Sequence, residues 1–338
     1  MHTDFTFHPQ VTQIGSYYEP RGHVEIYLLE GDGLTLIDTG CVDAPERFIA
    51  PALKERGLDL KDVRLILNTH GHFDHAGGNA HVVASSACEV WLPAQDAAAA
   101  GDLDQQFDAY YLQDYQLTGR THMAEAARAG WKKLVEPSPV NRALQAGEVL
   151  NLGRGIELRV VPTPGHTLGS VCFYWEREGL LFTGDSIAGG GSRPGGLPLI
   201  YHPHEYERSM DLVETLDINV LCLSHHYVSL SLSRESVKFG RMGKRFIQES
   251  REVARVIAAA MESAVEAEPG TPFLDAAASA VKKIQEHLPV VMNSKTGVPV
   301  YGGTSALYSY WLRYTGASSA ACLRLPNSPR SVESAKTT

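Results

Sequence analysis

Short apolar runs alternate with helical spacings along most of the chain. Residues 24–30 (VEIYLLE) and 34–38 (LTLID) are apolar and partly β-branched, and they flank Gly31-Asp32-Gly33. That pattern predicts a hairpin. Residues 44–57 carry a helical pattern that ends near Gly57. The run at 64–68 (RLILN) predicts a buried strand, 75–85 a helix, and 88–92 (CEVWL) another strand. Such alternation predicts a layered α/β domain with sheets covered by helices.

The pattern changes at 95–140, where Ala-rich and aromatic segments lie between turn signals. A mostly helical insertion is expected there. Its aromatics (Phe107, Tyr110, Tyr111, Tyr115, Trp131) suit either a pocket wall or an ordinary core. Strand patterns return at 156–161, 170–175 and 180–183, followed by a Gly/Pro-rich loop at 188–198. A helix is predicted at 204–216, a strand at 219–224, and helices over 233–288 with a break at 268–272. The aromatic segment 301–314 suits a homodimer contact or packing back on the domain. The small, polar residues 316–338 are expected to form a disordered tail.

Composition narrows the function classes. The 338 residues are 43% hydrophobic and 20% charged, enough for a sizeable core in one large domain or two small ones. A net charge of -9 argues against a nucleic-acid partner, because phosphate neutralisation needs clustered Lys and Arg. No signal-peptide pattern opens the chain and no long apolar run suggests a membrane span, so a cytoplasmic protein is expected. Five scattered cysteines (Cys41, Cys88, Cys172, Cys222, Cys322) fit a reducing compartment better than a disulfide framework.

The chemistry concentrates in Thr69-His70-Gly71-His72-Phe73-Asp74-His75-Ala76-Gly77-Gly78. Four candidate metal ligands, three imidazoles and one carboxylate, fall within six residues, directly after a predicted strand. Neutral imidazole and carboxylate suit zinc and iron, and the glycines permit a tight turn. Downstream, Pro164-Gly165-His166-Thr167, Thr183-Gly184-Asp185-Ser186 and Ser224-His225-His226 each follow a predicted strand. Alone, each such residue more often caps or meets solvent; in order behind the first motif they form a set.

That set resembles the metallo-β-lactamase superfamily over about residues 12–228, with Leu36-Ile37-Asp38-Thr39-Gly40 matching an early strand and turn. The resemblance implies an α/β, four-layer αββα sandwich at 1–228 with the helical insertion at 95–140, and a C-terminal helical extension at 229–315. It implies two Zn2+ ions, iron or manganese being possible with the same ligands. His70, His72 and His166 would hold one metal, Asp74, His75 and His225 the other, and Asp185 would bridge them. Asp38 would be structural or would support a metal ligand from behind. Ser224-His225-His226-Tyr227 departs from the family's usual last segment, which leaves His226 as the alternative to His225. The implied reaction is attack of a metal-bound hydroxide on a thioester, ester or lactone carbonyl of a small molecule, with Asp74 steering the nucleophile. β-Lactam hydrolysis and a mono-iron dioxygenase similar to persulfide dioxygenases are the alternatives. No G-x-S-x-G segment supports a serine nucleophile. The loop 186–204 should border the pocket, making Arg193 and Tyr201, with His226, candidate substrate contacts; His202 and His204 lie on it too.

Overall fold

The computed structural model describes residues 4–18, 22–290 and 303–316. Seven strands form the first sheet in chain order: β1 (Phe5–His8), β2 (Val11–Tyr18), β3 (Gly22–Glu30), β4 (Leu34–Ile37), β5 (Val63–Leu67), β6 (Glu89–Pro93) and β7 (Arg142–Leu144). β1 to β4 pair antiparallel, and β4 to β7 run parallel. The hairpin expected at 24–38 is β3–β4. The second sheet holds β8 (Val149–Gly153), β9 (Ile156–Pro162), β10 (Val171–Trp175), β11 (Leu180–Phe182), β12 (Val220–Cys222) and β13 (Val237–Phe239), all antiparallel neighbours except parallel β11 and β12.

The sheets pack face to face. Alternate residues of each strand point to opposite faces. Tyr27, Leu29 and Ile37 thus meet Leu158, Val160, Phe173, Trp175 and Phe182 in the central core. The opposite residues Ile26, Leu28 and Leu36 pack under α1 (Ala50–Glu55), which continues a π-turn at Pro45–Ile49, and under α3 (Asn79–Ser86). A single-turn helix, α2 (Phe73–Ala76), precedes α3. On the far side, Cys172, Tyr174 and Leu181 pack under the outer helices. These are α8 (Pro203–Glu214), α9 (Arg241–Ala267), α10 (Phe273–Ile284) and α11 (Gly303–Thr315). The result is the αββα sandwich, and strands buried on both faces read as continuous apolar runs.

Residues 95–140 are largely helical: α4 (Ala94–Gly101), α5 (Leu103–Tyr110), α6 (Leu112–Leu117) and α7 (Ala124–Trp131). Phe107 and Trp131 pack with Phe73, Tyr111 and Tyr115 in a small core of their own. The helical reading of 233–288 gives way at Val237–Phe239, where β13 extends the sheet beside β12. Leu307, Tyr308, Tyr310 and Trp311 of α11 pack back into the outer helical layer. Cys41, Cys88, Cys172 and Cys222 are free and buried. Cys322 and the expected tail beyond 316 lie outside the described residues. No described helix is long and apolar enough to cross a membrane.

Candidate metal centre

The two sheets deliver seven ligand-type side chains to one edge of the sandwich. β5 ends at Leu67, and the chain then turns through His70 and His72 into α2, which carries Asp74 and His75. His166 lies in the turn between β9 and β10, Asp185 just after β11, and His225 just after β12. All seven are buried. Two glycines are needed for these turns. Gly184, before Asp185, has φ of 51°, and a Cβ there would meet Thr69 Oγ1 at 2.5 Å. Gly165, before His166, has φ of 155° and a Cβ would meet the Tyr206 backbone at 2.8 Å.

The ligand atoms of His70, His72 and His166 lie within 4.8 Å of one another, as do those of Asp74, His75 and His225. Asp185 stands between the two triads. Its Oδ2 is 3.3 Å from His166 Nε2, while its Oδ1 is 3.3 Å from His75 Nε2 and 3.2 Å from His225 Nε2. His225 Nε2 is 3.7 Å from Asp74 Oδ2. His72 Nδ1 faces His166 Nε2 at 2.8 Å.

The rings are aimed from behind. His75 Nδ1 lies 2.8 Å from Asp38 Oδ2, His166 Nδ1 lies 2.8 Å from the Leu199 carbonyl, and His225 Nδ1 meets the His23 carbonyl. Each contact anchors Nδ1 from behind and leaves Nε2 turned toward the centre. Asp96 joins two of the loops: its Oδ2 accepts from the Gly71 amide and the Thr167 hydroxyl, both at 2.9 Å. Tyr18 donates to Asp74 Oδ2 at 2.8 Å.

The residues fit metal ions. Nε2 of His70 and Oδ1 of Asp185 are buried without a hydrogen-bond partner. Orphaned buried acceptors are costly and uncommon, and a cation satisfies them. Burial, reinforced by the neighbouring imidazoles, pushes the His70 and His72 rings well below their ordinary range, leaving them neutral. Burial opposes the charge on Asp185, but the His225, His75 and His166 imidazoles outweigh it and hold the carboxyl well below its usual range.

A cavity of about 720 Å³ opens over the centre. His72, Asp74, His166, Asp185 and His225 form its floor, and Tyr18, Tyr111, Tyr201 and Tyr227 stand in its wall. Arg193 and Tyr201 of the 186–204 loop reach it, as does His226. His202 and His204 instead line a smaller cavity beyond Tyr201. Of the insertion aromatics, Tyr111 serves both as core and as cavity wall. Arg47, Arg234, Tyr18, His23 and Glu25 carry no signal in the sequence that ties them to this edge; strand and loop packing brings them there.

The profile of the metallo-beta-lactamase superfamily matches residues 20–225. Acyl-coenzyme A thioesterase MBLAC2 of Gallus gallus is 32% identical over 184 residues, 52% of this chain and 61% of that protein. Hydroxyacylglutathione hydrolase of Anaeromyxobacter dehalogenans is 35% identical over 176 residues, 51% of this chain and 50% of that protein. The chain therefore spans less than two thirds of the length of these curated relatives. Among solved structures, a metallo-beta-lactamase family protein from Thermus thermophilus superimposes with a TM-score of 0.66 at 22% identity, covering 92% of this chain and 96% of that one. A beta-lactamase domain protein from Burkholderia ambifaria gives a TM-score of 0.61 at 20% identity, covering 93% and 88%.

Proposed function

Because the chain belongs to the metallo-beta-lactamase superfamily, we propose that it is a two-zinc hydrolase that cleaves an acyl thioester, with esters and lactones as chemically related substrates. The observation that carries this reading is Asp185, whose two oxygens face two separate triads of ligand-type side chains. His70, His72 and His166 would hold one ion, Asp74, His75 and His225 the other, and Asp185 both. Two such ions, when bound, lower the pKa of a shared water and polarise a carbonyl.

The protein's own groups do the rest. Asp74 faces the cavity and accepts the proton of the attacking water. Tyr18 holds the Asp74 carboxylate by its hydroxyl and fixes its angle. The water oxygen bonds to the carbonyl carbon, the carbon–sulfur bond breaks, and the proton taken by Asp74 passes to the departing thiolate. The tyrosine wall supplies apolar faces for the acyl group. Arg47, Arg193 and Arg234 line the same cavity, which suits a thiol carrier bearing carboxylates or phosphates. The names of the relatives, an acyl-coenzyme A thioesterase and a hydroxyacylglutathione hydrolase, support a thioester in particular.

The test is metal content with turnover. Protein purified without added metal or chelator should carry about two zinc ions per chain, and chelation should abolish hydrolysis of acyl-coenzyme A and acylglutathione thioesters. One iron per chain with thiol-dependent oxygen consumption would overturn the reading. Nitrocefin turnover exceeding that of every thioester would replace it with β-lactam hydrolysis.

A further inference from the structure

Beside the seven-residue centre, three more ligand-type side chains meet on the cavity wall. His23 and Glu25 sit two apart on β3, so they share one face of the strand. His226 follows His225, but its ring stacks on His23, with centroids 3.8 Å apart. Glu25 Oε1 lies 3.0 Å from His226 Nε2 and 3.3 Å from His23 Nε2. The ligand atoms of the three residues all fall within 4.8 Å of one another.

The frame around them is fixed. The Glu25 amide donates to the Ser224 carbonyl at 2.7 Å, and the Ser236 hydroxyl donates to Glu25 Oε1 at 2.7 Å. The His23 carbonyl accepts from His225 Nδ1. Inside this frame, hydrogen bonding is incomplete. Glu25 is 2% exposed and its Oε2 has no partner. Both ring nitrogens of His23 are buried without a partner. A carboxylate this deep calls for a cation, and a pair of hydrogen bonds from the imidazoles would still leave Oε2 orphaned.

We propose that His23, Glu25 and His226 form a third cation site, separate from the seven-residue centre, that takes a divalent ion of the zinc class. Two imidazoles and one carboxylate are a donor set that binds zinc with a fourth position open. His23 and His226 line the main cavity, and the His226 side chain is 39% exposed, so the open position faces whatever enters. An anionic oxygen at the cavity mouth is the ligand that position would accept.

The test is a difference in stoichiometry. Chelator-stripped full-length chain is titrated with Zn2+, desalted and analysed for bound zinc, as wild type, Glu25→Gln and His226→Ala. Wild type should hold one zinc per chain more than either variant. The count left in the variants bears on the proposed activity; only the difference bears on this site, so the two ideas fail separately. Circular dichroism checks folding. If Glu25→Gln does not fold, the partly exposed His226→Ala decides, with His226→Cys expected to recover the missing ion by restoring a zinc ligand. Equal zinc in wild type and His226→Ala would overturn the proposal.

Discussion

Asp38 Oδ2 lies 2.8 Å from His75 Nδ1, with both side chains buried, although the two residues are 37 apart in the chain. Asp38 has a φ of 62°, a conformation that costs a non-glycine residue on the order of 1–3 kcal/mol. The same carboxylate accepts from the Thr69 amide at 2.9 Å and the Thr69 hydroxyl at 2.8 Å. One residue therefore orients both the start of the histidine motif and its last ring. Asp38→Asn should lower metal affinity and kcat/KM by about 10- to 100-fold, as loss of an orienting partner does. Metal titration beside steady-state kinetics checks this; unchanged values for both would show that the contact orients nothing.

Asp185 faces both triads, whereas His70 is assigned above to one ion alone. Asp185→Asn should thus release more zinc than His70→Ala, and both should lose most thioesterase turnover. Elemental analysis of the two variants after identical purification decides it. Full metal in either variant would mean that the ligand assignment is wrong.

Tyr18→Phe removes only the hydroxyl that holds Asp74 Oδ2. A hydrogen bond to a charged group contributes about 1.5–3 kcal/mol, so kcat should fall about 10- to 100-fold with zinc retained. A rise in KM alone would assign Tyr18 to substrate packing instead.

Gly184→Ala places a Cβ against Thr69 at a positive φ. The variant should lose roughly 1–3 kcal/mol of stability, seen as a lower melting temperature even without metal. An unaltered melting temperature would show that this turn relaxes freely.

In the metal-free protein the signs of two shifts define a pH window. The Asp185 carboxyl is held below its ordinary 3.8 by His225, His75 and His166 against the opposing effect of burial. Its contribution is present above that ordinary value and is lost as pH falls through the folded value. The His75 ring is raised above its ordinary 6.5, because Asp185, Asp38 and Asp74 outweigh burial. Its contribution is present below 6.5 and is lost as pH rises through the folded value. Thermal unfolding of the chelated protein should therefore peak between these limits and decline on both sides. Asp185→Asn should flatten both flanks.

Much of the architecture is written locally. The apolar runs at 64–68 and 170–175 and the turn at Gly31-Asp32-Gly33 are short-range patterns, and they mark β5, β10 and the β3–β4 hairpin. The clustering of His70, His72, Asp74 and His75 is also local, because one turn after one strand holds all four. Strands with weak patterns stayed hidden. β2 (VTQIGSYY) mixes polar residues and glycine, and β13 has three residues; both form because neighbouring strands offer them partners.

What the sequence by itself determined is the chemistry available at each strand end, since residue type and spacing fix which donors lie near which turn. What only the tertiary structure decided is where each donor points. His225 and His226 are chemically identical neighbours, yet one ring faces Asp185 and the other faces Glu25. The choice is made by β3, some 200 residues earlier, whose His23 carbonyl takes the His225 ring and whose Glu25 amide ties down Ser224. Periodicity reports the geometry of adjacent residues. The direction of a side chain at the end of a strand depends on pairing between strands distant in the chain, and no local pattern encodes that pairing.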